Sequence, residues 1–222
     1  MLSRRTERQP SRAGFLLAGG KSSRMGADKA FLVFDGQTLL ERALDLMAAV
    51  CDTVTIVGDP DKFAEYSAAE SRSGNCEIPK YESVVADIFP GCGPLAGIHT
   101  ALEHSTAELN LMLAVDMPFV SKELLAFLFA VAEESSAAVI VPRTSKGLQP
   151  LCAIYRREFL SVAEPALRAG KYRVDATFSS VSTHEIDVAK LAAAGFLEPS
   201  FFNLNTPEDR LAVEGEGFDR PS

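Results

Sequence analysis

Ala13–Lys29 reads AGFLLAGGKSSRMGADK, and Asn110–Pro118 reads NLMLAVDMP. The first opens on an apolar run, Ala13–Ala18, that stops at Gly19-Gly20. The second is apolar up to Val115 and stops at Asp116, with Pro118 bending the chain away. Short apolar runs closed by turn residues suit strands that are covered on both faces. Between and around them the period changes. Residues 37–50 place Leu39, Leu40, Ala43, Leu46, Met47 and Val50 at helical spacing. Thr53–Val57 is β-branched and ends at Gly58-Asp59-Pro60, which predicts a strand and then a turn. Strands are also expected at Val84–Asp87, near Ile78, at Ala137–Val141 closed by Pro142, at Leu151–Tyr155 and, on an edge, at Val181–Ile186. Helices are expected from Leu95 to about Ser105, from Ser121 to Val131, over 157–169 and 172–178, and from Asn205-Thr206-Pro207 onward. Strands alternating with helices predict an α/β sandwich around a mostly parallel sheet.

The chain has 222 residues, 47% of them hydrophobic and 23% charged, which is enough to bury one large core. No internal repeat or low-complexity linker divides it. A single domain is expected over 13–213, with a disordered Arg-rich tail at 1–12 and a C-terminal tail at 214–222. The net charge of −8 is uneven. Residues 1–29 carry seven basic and two acidic side chains, and the other 193 carry 15 and 28. A chain this acidic, with no Trp and 8% aromatic residues, is poor material for a nucleic-acid surface. No apolar run approaches the roughly 20 residues that span a bilayer. Cys51, Cys76, Cys92 and Cys152 lie far apart, without metal-site or redox spacing, and are expected to be single thiols. Together these features predict a cytoplasmic protein that binds neither membrane nor nucleic acid.

In open α/β sheets, ligands bind beyond the carboxyl ends of the strands. That directs attention to Gly19–Lys29, Gly58–Pro60, Asp87 and Asp116. The loop after the first strand combines glycines, serines, Lys21, Arg24 and Lys29, the composition of a phosphate cradle. It is not a P-loop, because the first glycine of G-x-x-x-x-G-K-[ST] would fall on Phe15. Gly91-Cys92-Gly93-Pro94-Leu95-Ala96 matches the dinucleotide fingerprint by letter, but Pro94 marks it as a loop entering a helix at its first position. Asp116 at a strand end is a candidate Mg²⁺ ligand, since Mg²⁺ takes one or two carboxylates plus substrate phosphates. His99, on the apolar helix after Pro94, reads as a satisfied structural histidine. No nucleophile–base constellation is present.

LAGGKSSRMGADKAFLVFDGQTLLE, GPLAGI (Gly93–Ile98), VDMPF (Val115–Phe119), LQPLCAIY (Leu148–Tyr155) and NLNTPED (Asn203–Asp209) occur in this order. Together they resemble the molybdenum cofactor guanylyltransferases of the nucleotide-diphosphosugar transferase superfamily, from about Gly14 to Val213. The resemblance implies a three-layer α/β/α, Rossmann-like fold. It implies transfer of GMP from GTP to Mo-molybdopterin with release of pyrophosphate, dependent on Mg²⁺. By motif, Leu17, Ala18 and Gly19 would touch the nucleoside, Lys29 the phosphates, Asp87 the nucleoside, and Asp116 both nucleotide and metal. Lys29, Arg24 and Asp116 would neutralise charge in the reaction. Arg156, Arg173, Asn203 and Asn205 would serve the acceptor. Where family members can carry an Asn after the second strand, this chain has Val57-Gly58-Asp59, so no side-chain contact carries over there. A monomer is expected, with cofactor-delivery and acceptor proteins as partners. Two other readings stay open at this point: a relative using CTP or another phosphorylated acceptor, and a non-catalytic GTP-binding adaptor.

Overall fold

The structure is a computed structural model that describes residues 10–19, 29–73, 81–206, 209 and 213. The chain begins with β1 (Arg12–Leu17), the hairpin β2 (Val33–Phe34) and β3 (Gln37–Thr38), α1 (Leu39–Ala48) and β4 (Thr53–Val57). It continues through α2 (Pro60–Ser73), β5 (Ser83–Val85), α3 (Pro94–His104), β6 (Leu109–Ala114) and α4 (Lys122–Glu133). The last part holds β7 (Val139–Thr144), β8 (Gly147–Leu148), β9 (Cys152–Tyr155), α5 (Leu160–Arg168), β10 (Thr183–Ile186) and α6 (Val188–Ala193).

The main sheet has the order β10-β7-β9-β6-β1-β4-β5, with β8 attached to β7. β9 runs against its neighbours β6 and β7, while β5, β4, β1 and β6 are parallel. All six residues of β6 are buried, which is why its sequence is apolar almost throughout. Its one polar residue, Asn110, is satisfied: its amide donates to the carbonyls of Tyr155 (3.1 Å) and Ala107 (3.3 Å). Alternate residues of the central strands feed two cores. Leu16, Ile56, Leu111 and Leu113 pack with α1 and α4. Phe15, Val57 and Met112 pack with α3 and α5. The sheet therefore lies between two helical layers, the three-layer α/β/α sandwich expected from the sequence.

Local signals explain the helix starts. Thr38 and Glu41 form a reciprocal capping box on α1, with Glu41 N–H to Thr38 Oγ1 at 3.2 Å and Thr38 N–H to Glu41 Oε2 at 2.8 Å. Ser121 caps α4 through Leu124 N–H at 3.2 Å. Thr206 and Asp209 cap each other in the same way.

Several expectations need correction. α2 occupies a stretch whose polar composition carries no helical period. Residues 157–169 divide into a 3-10 turn, Arg157–Phe159, and α5. Residues 172–178 are not an α-helix: α5 ends at Arg168, Gly170 with φ of +70° turns the chain away, and a 3-10 turn covers Asp175–Ser180. Pro142 lies inside β7 instead of closing it. β9 pairs β7 only at Val139 and Ile140, so Pro142, which has no N–H, needs no partner on that side. The strand expected near Ile78 lies outside the described residues. Among the described residues no helix is long and apolar enough to cross a membrane. Cys51, Cys92 and Cys152 are free thiols, and Cys76 lies outside the described residues.

Candidate active site

β1 is the point where the sheet's order reverses: the chain moves outward through β4 and β5, then crosses back by α3 to β6 on the other side. Neighbouring loops diverge at such a point and leave a crevice over the carboxyl ends of the strands. A cleft of about 440 Å³ lies there. Backbone hydrogen bonds extend the sheet just beneath it. Ala18 N–H donates to Val57 O (3.0 Å), Gly58 N–H to Val85 O (2.9 Å), and Val115 N–H to Leu17 O (3.2 Å).

Leu17, Ala18, Gly19, Lys29, Asp87 and Asp116 all line this one cleft. Arg24 lies outside the described residues. Lys29 Nζ donates to Asp116 Oδ2 at 3.2 Å and to Asn205 Oδ1 at 2.7 Å. Both members of the ion pair are about one-fifth exposed, so the pair is partly desolvated yet reachable. Leu204 N–H donates to the Asp116 carbonyl at 2.8 Å, which ties the C-terminal segment to the end of β6. Asp116 does not cap α4; Ser121 does.

Asp87 stands two residues beyond β5 and differs in character. Its Oδ1 is buried without a hydrogen-bond partner among the described residues. Burial raises its carboxyl above the ordinary carboxylate value. A buried carboxylate oxygen without a donor is costly, and a ligand N–H or O–H can satisfy it. Glycines make room for this group. A Cβ on Gly19 would lie 3.5 Å from Asp87 Oδ2, and one on Gly97 would lie 3.8 Å from Oδ1. The N-terminus of α3 lines the same cleft. Gly91 and Gly93 adopt φ of +77° and +73°, which swings the chain into Pro94 at the first helical position. The positive end of that helix therefore forms one wall of the cleft.

Other expectations fare differently. Gly58 has no room for a side chain, because a Cβ there would come within 2.8 Å of Phe63 Cε2. A smaller depression of about 240 Å³ shares Ala18, Gly19, Asp87 and Gly91 with the cleft and adds Asp59 and Lys62. Arg156 is not a cleft residue. Its guanidinium donates to the carbonyls of Ala132 and Ser135 (2.9 Å each) and Ala137 (3.2 Å), closing the end of α4. Arg173 is exposed and paired with Asp175, and it does not line the cleft. Asn203 Oδ1 is buried without a partner among the described residues. His99 is structural but not satisfied: neither ring nitrogen has a partner among the described residues. The Lys29–Asn205 bond has no local sequence signal, since 176 positions separate the two residues.

A donor-hungry carboxylate, a cation and a helix N-terminus in one cleft, with a strand switch point beneath, suit a molecule with both hydrogen-bond donors and anionic groups. Fold and cleft thus define a nucleotide-binding enzyme of the α/β class. More particularly, the chain belongs to the family of MobA-like NTP transferase domains, whose pattern matches residues 14–182. The molybdenum cofactor guanylyltransferase of Desulfosudis oleivorans is 31% identical over 203 residues, covering 90% of this chain and 93% of that protein. The molybdenum cofactor guanylyltransferase of Syntrophotalea carbinolica is 31% identical over 215 residues, covering 93% and 94%. Among solved structures, molybdopterin-guanine dinucleotide biosynthesis protein A from Archaeoglobus fulgidus superposes with a TM-score of 0.73 at 28% identity, covering 91% of this chain and 96% of that one.

Proposed function

We propose that this nucleotidyltransferase transfers GMP from GTP to Mo-molybdopterin, forming the guanine dinucleotide cofactor and pyrophosphate. The observation that carries this reading is the convergence of Leu17, Ala18, Gly19, Lys29, Asp87 and Asp116 on one cleft at the switch point. The terminal phosphate of the pterin attacks the α-phosphorus of GTP in line, an O–P bond forms, and the bond to the pyrophosphate oxygen breaks. The attacking phosphate is already ionised, so no general base is needed. What the protein must supply is alignment and charge neutralisation. Lys29 meets the phosphates, held by Asp116 and Asn205 so that its ammonium is in place before substrate arrives. The backbone of Leu17–Gly19 lies along the nucleoside, and Asp87 accepts a hydrogen bond from it. Arg24 adds a second cation.

Asp116 fits as a holder of Mg²⁺ in the presence of nucleotide. The described residues contain no group of three or more His, Cys, Asp and Glu side chains able to hold an ion by themselves. Mg²⁺ needs only one or two carboxylates when phosphate oxygens and water complete its shell. When bound, the ion would neutralise charge on the phosphates. The protein works as a cytoplasmic monomer of one domain, with the proteins that deliver and accept the cofactor as its partners.

Calorimetric titration with GTP and with CTP in Mg²⁺ tests the reading. The expected result is tighter binding of GTP; tighter binding of CTP overturns the choice of base. Pyrophosphate release in the presence of loaded pterin separates a transferase from a GTP-binding adaptor.

A further inference from the structure

α3 is buried over eight consecutive residues, Leu95–Leu102. Such a helix should be apolar all round, yet it carries His99 and Thr100 side by side, 3% and 0% exposed. Each touches one residue of the segment that follows Asp87. Thr100 Oγ1 accepts the N–H of Ile88 at 2.9 Å. The His99 ring meets Phe89 edge to face, with centroids 5.1 Å apart and planes at 83°. Arg168 of α5 lies over the outer part of this arrangement, its guanidinium carbon 5.8 Å from the Phe89 centroid.

The segment needs this support. β5 is an edge strand of three residues, and its last ladder pairing is Val57 with Val85. Asp87 lies two residues past that point and precedes Ile88, which is 47% exposed. The turn before Asp87 is fixed to the sheet by Gly58 N–H on Val85 O. The turn after it is fixed to α3 by Thr100. Between these anchors the carboxylate lies against Gly19 and against Gly97, one helical turn before Thr100.

We propose that Thr100, with His99 packed on Phe89 beside it, is the positioning residue that holds the Asp87 carboxylate toward the cleft. The inference rests on the reading of Asp87 as a nucleoside contact. It assigns α3 two tasks: its N-terminus walls the cleft, and its second turn sets the orientation of the neighbouring carboxylate.

Calorimetry with GTP and Mg²⁺ on wild type, Thr100→Val, Asp87→Ala and the double variant tests it. Removing the acceptor for Ile88 N–H should weaken GTP binding about fivefold when Asp87 is present. In the Asp87→Ala background the same substitution should cost nothing further. Thr100→Ser, which keeps the oxygen, should restore wild-type affinity. Equal losses in both backgrounds overturn the inference and leave the proposed function standing, as does an Asp87→Ala protein that binds GTP like wild type. Failure of wild type to bind any nucleoside triphosphate overturns the function itself. Should Thr100→Val not fold, Phe89→Leu breaks the neighbouring contact outside the helix and is judged by the same cycle.

Discussion

Two carboxylates face the cleft from strands of very different build. Asp116 follows β6, six buried residues bonded on both sides, by β1 and by β9. Asp87 follows β5, three partly exposed residues bonded on one side only. Asp116 is paired with Lys29 at 3.2 Å, whereas one oxygen of Asp87 has no partner among the described residues. The protein thus holds an ion pair where its scaffold is stiffest. It keeps an unsatisfied acceptor where the scaffold is thin and must be braced by α3. In the proposed function, Asp116 would serve the reaction and Asp87 recognition.

The sharpest way to break that comparison is kinetic. Asp116→Ala should lower the rate of pyrophosphate release about a hundredfold or more, with the melting temperature little changed. Asp87→Ala should instead raise KM for GTP about tenfold and alter kcat far less. An exchange of these two patterns would remove the distinction. A smaller effect is expected at Asn205. Asn205→Ala takes one of the two acceptors from Lys29 and should slow transfer about threefold, the size of one exposed hydrogen bond. If it were as damaging as Asp116→Ala, the carboxylate would not be the main partner of Lys29.

The smallest effect concerns pH. Burial holds the His99 imidazole below its ordinary value of 6.5, with Glu103 and Glu164 drawing it up and Arg168 lowering it further. The unfolded chain then binds a proton that the folded chain refuses. His99 therefore contributes stability that is complete above 6.5 and lost as pH falls through the folded-state value. Asp87 has the opposite sign, because its raised carboxyl favours folding at low pH and loses that contribution as pH rises through the raised value. Comparing urea midpoints of wild type and His99→Leu across mildly acid pH isolates the histidine; the variant should lose less stability on acidification.

Much of the site was legible because topology does the placing. A residue just past an apolar run in a parallel sheet lies at the carboxyl end of a strand, so Gly19, Asp87 and Asp116 could be picked from Ala13–Ala18, Val84–Val85 and Asn110–Val115. The start of α4 was legible for a similar reason: Ser121 caps it within one helical turn. α2 was missed because a polar surface helix carries little apolar period. Arg156 was misread because its charge suggested an anion, while its geometry serves three backbone carbonyls.

By itself, then, the sequence determined the alternation of elements, the sandwich class, the helix starts and the strand ends that hold the cleft. These follow from periodicity and short-range capping, which act over a few residues. Only the tertiary structure decided that Lys29 shares its ammonium between Asp116 and Asn205, that Gly58 yields its space to Phe63, and that Thr100 holds the residue after Asp87. Those contacts depend on the order of strands in the sheet and the packing of α3 across it, and neither leaves a local mark in the chain.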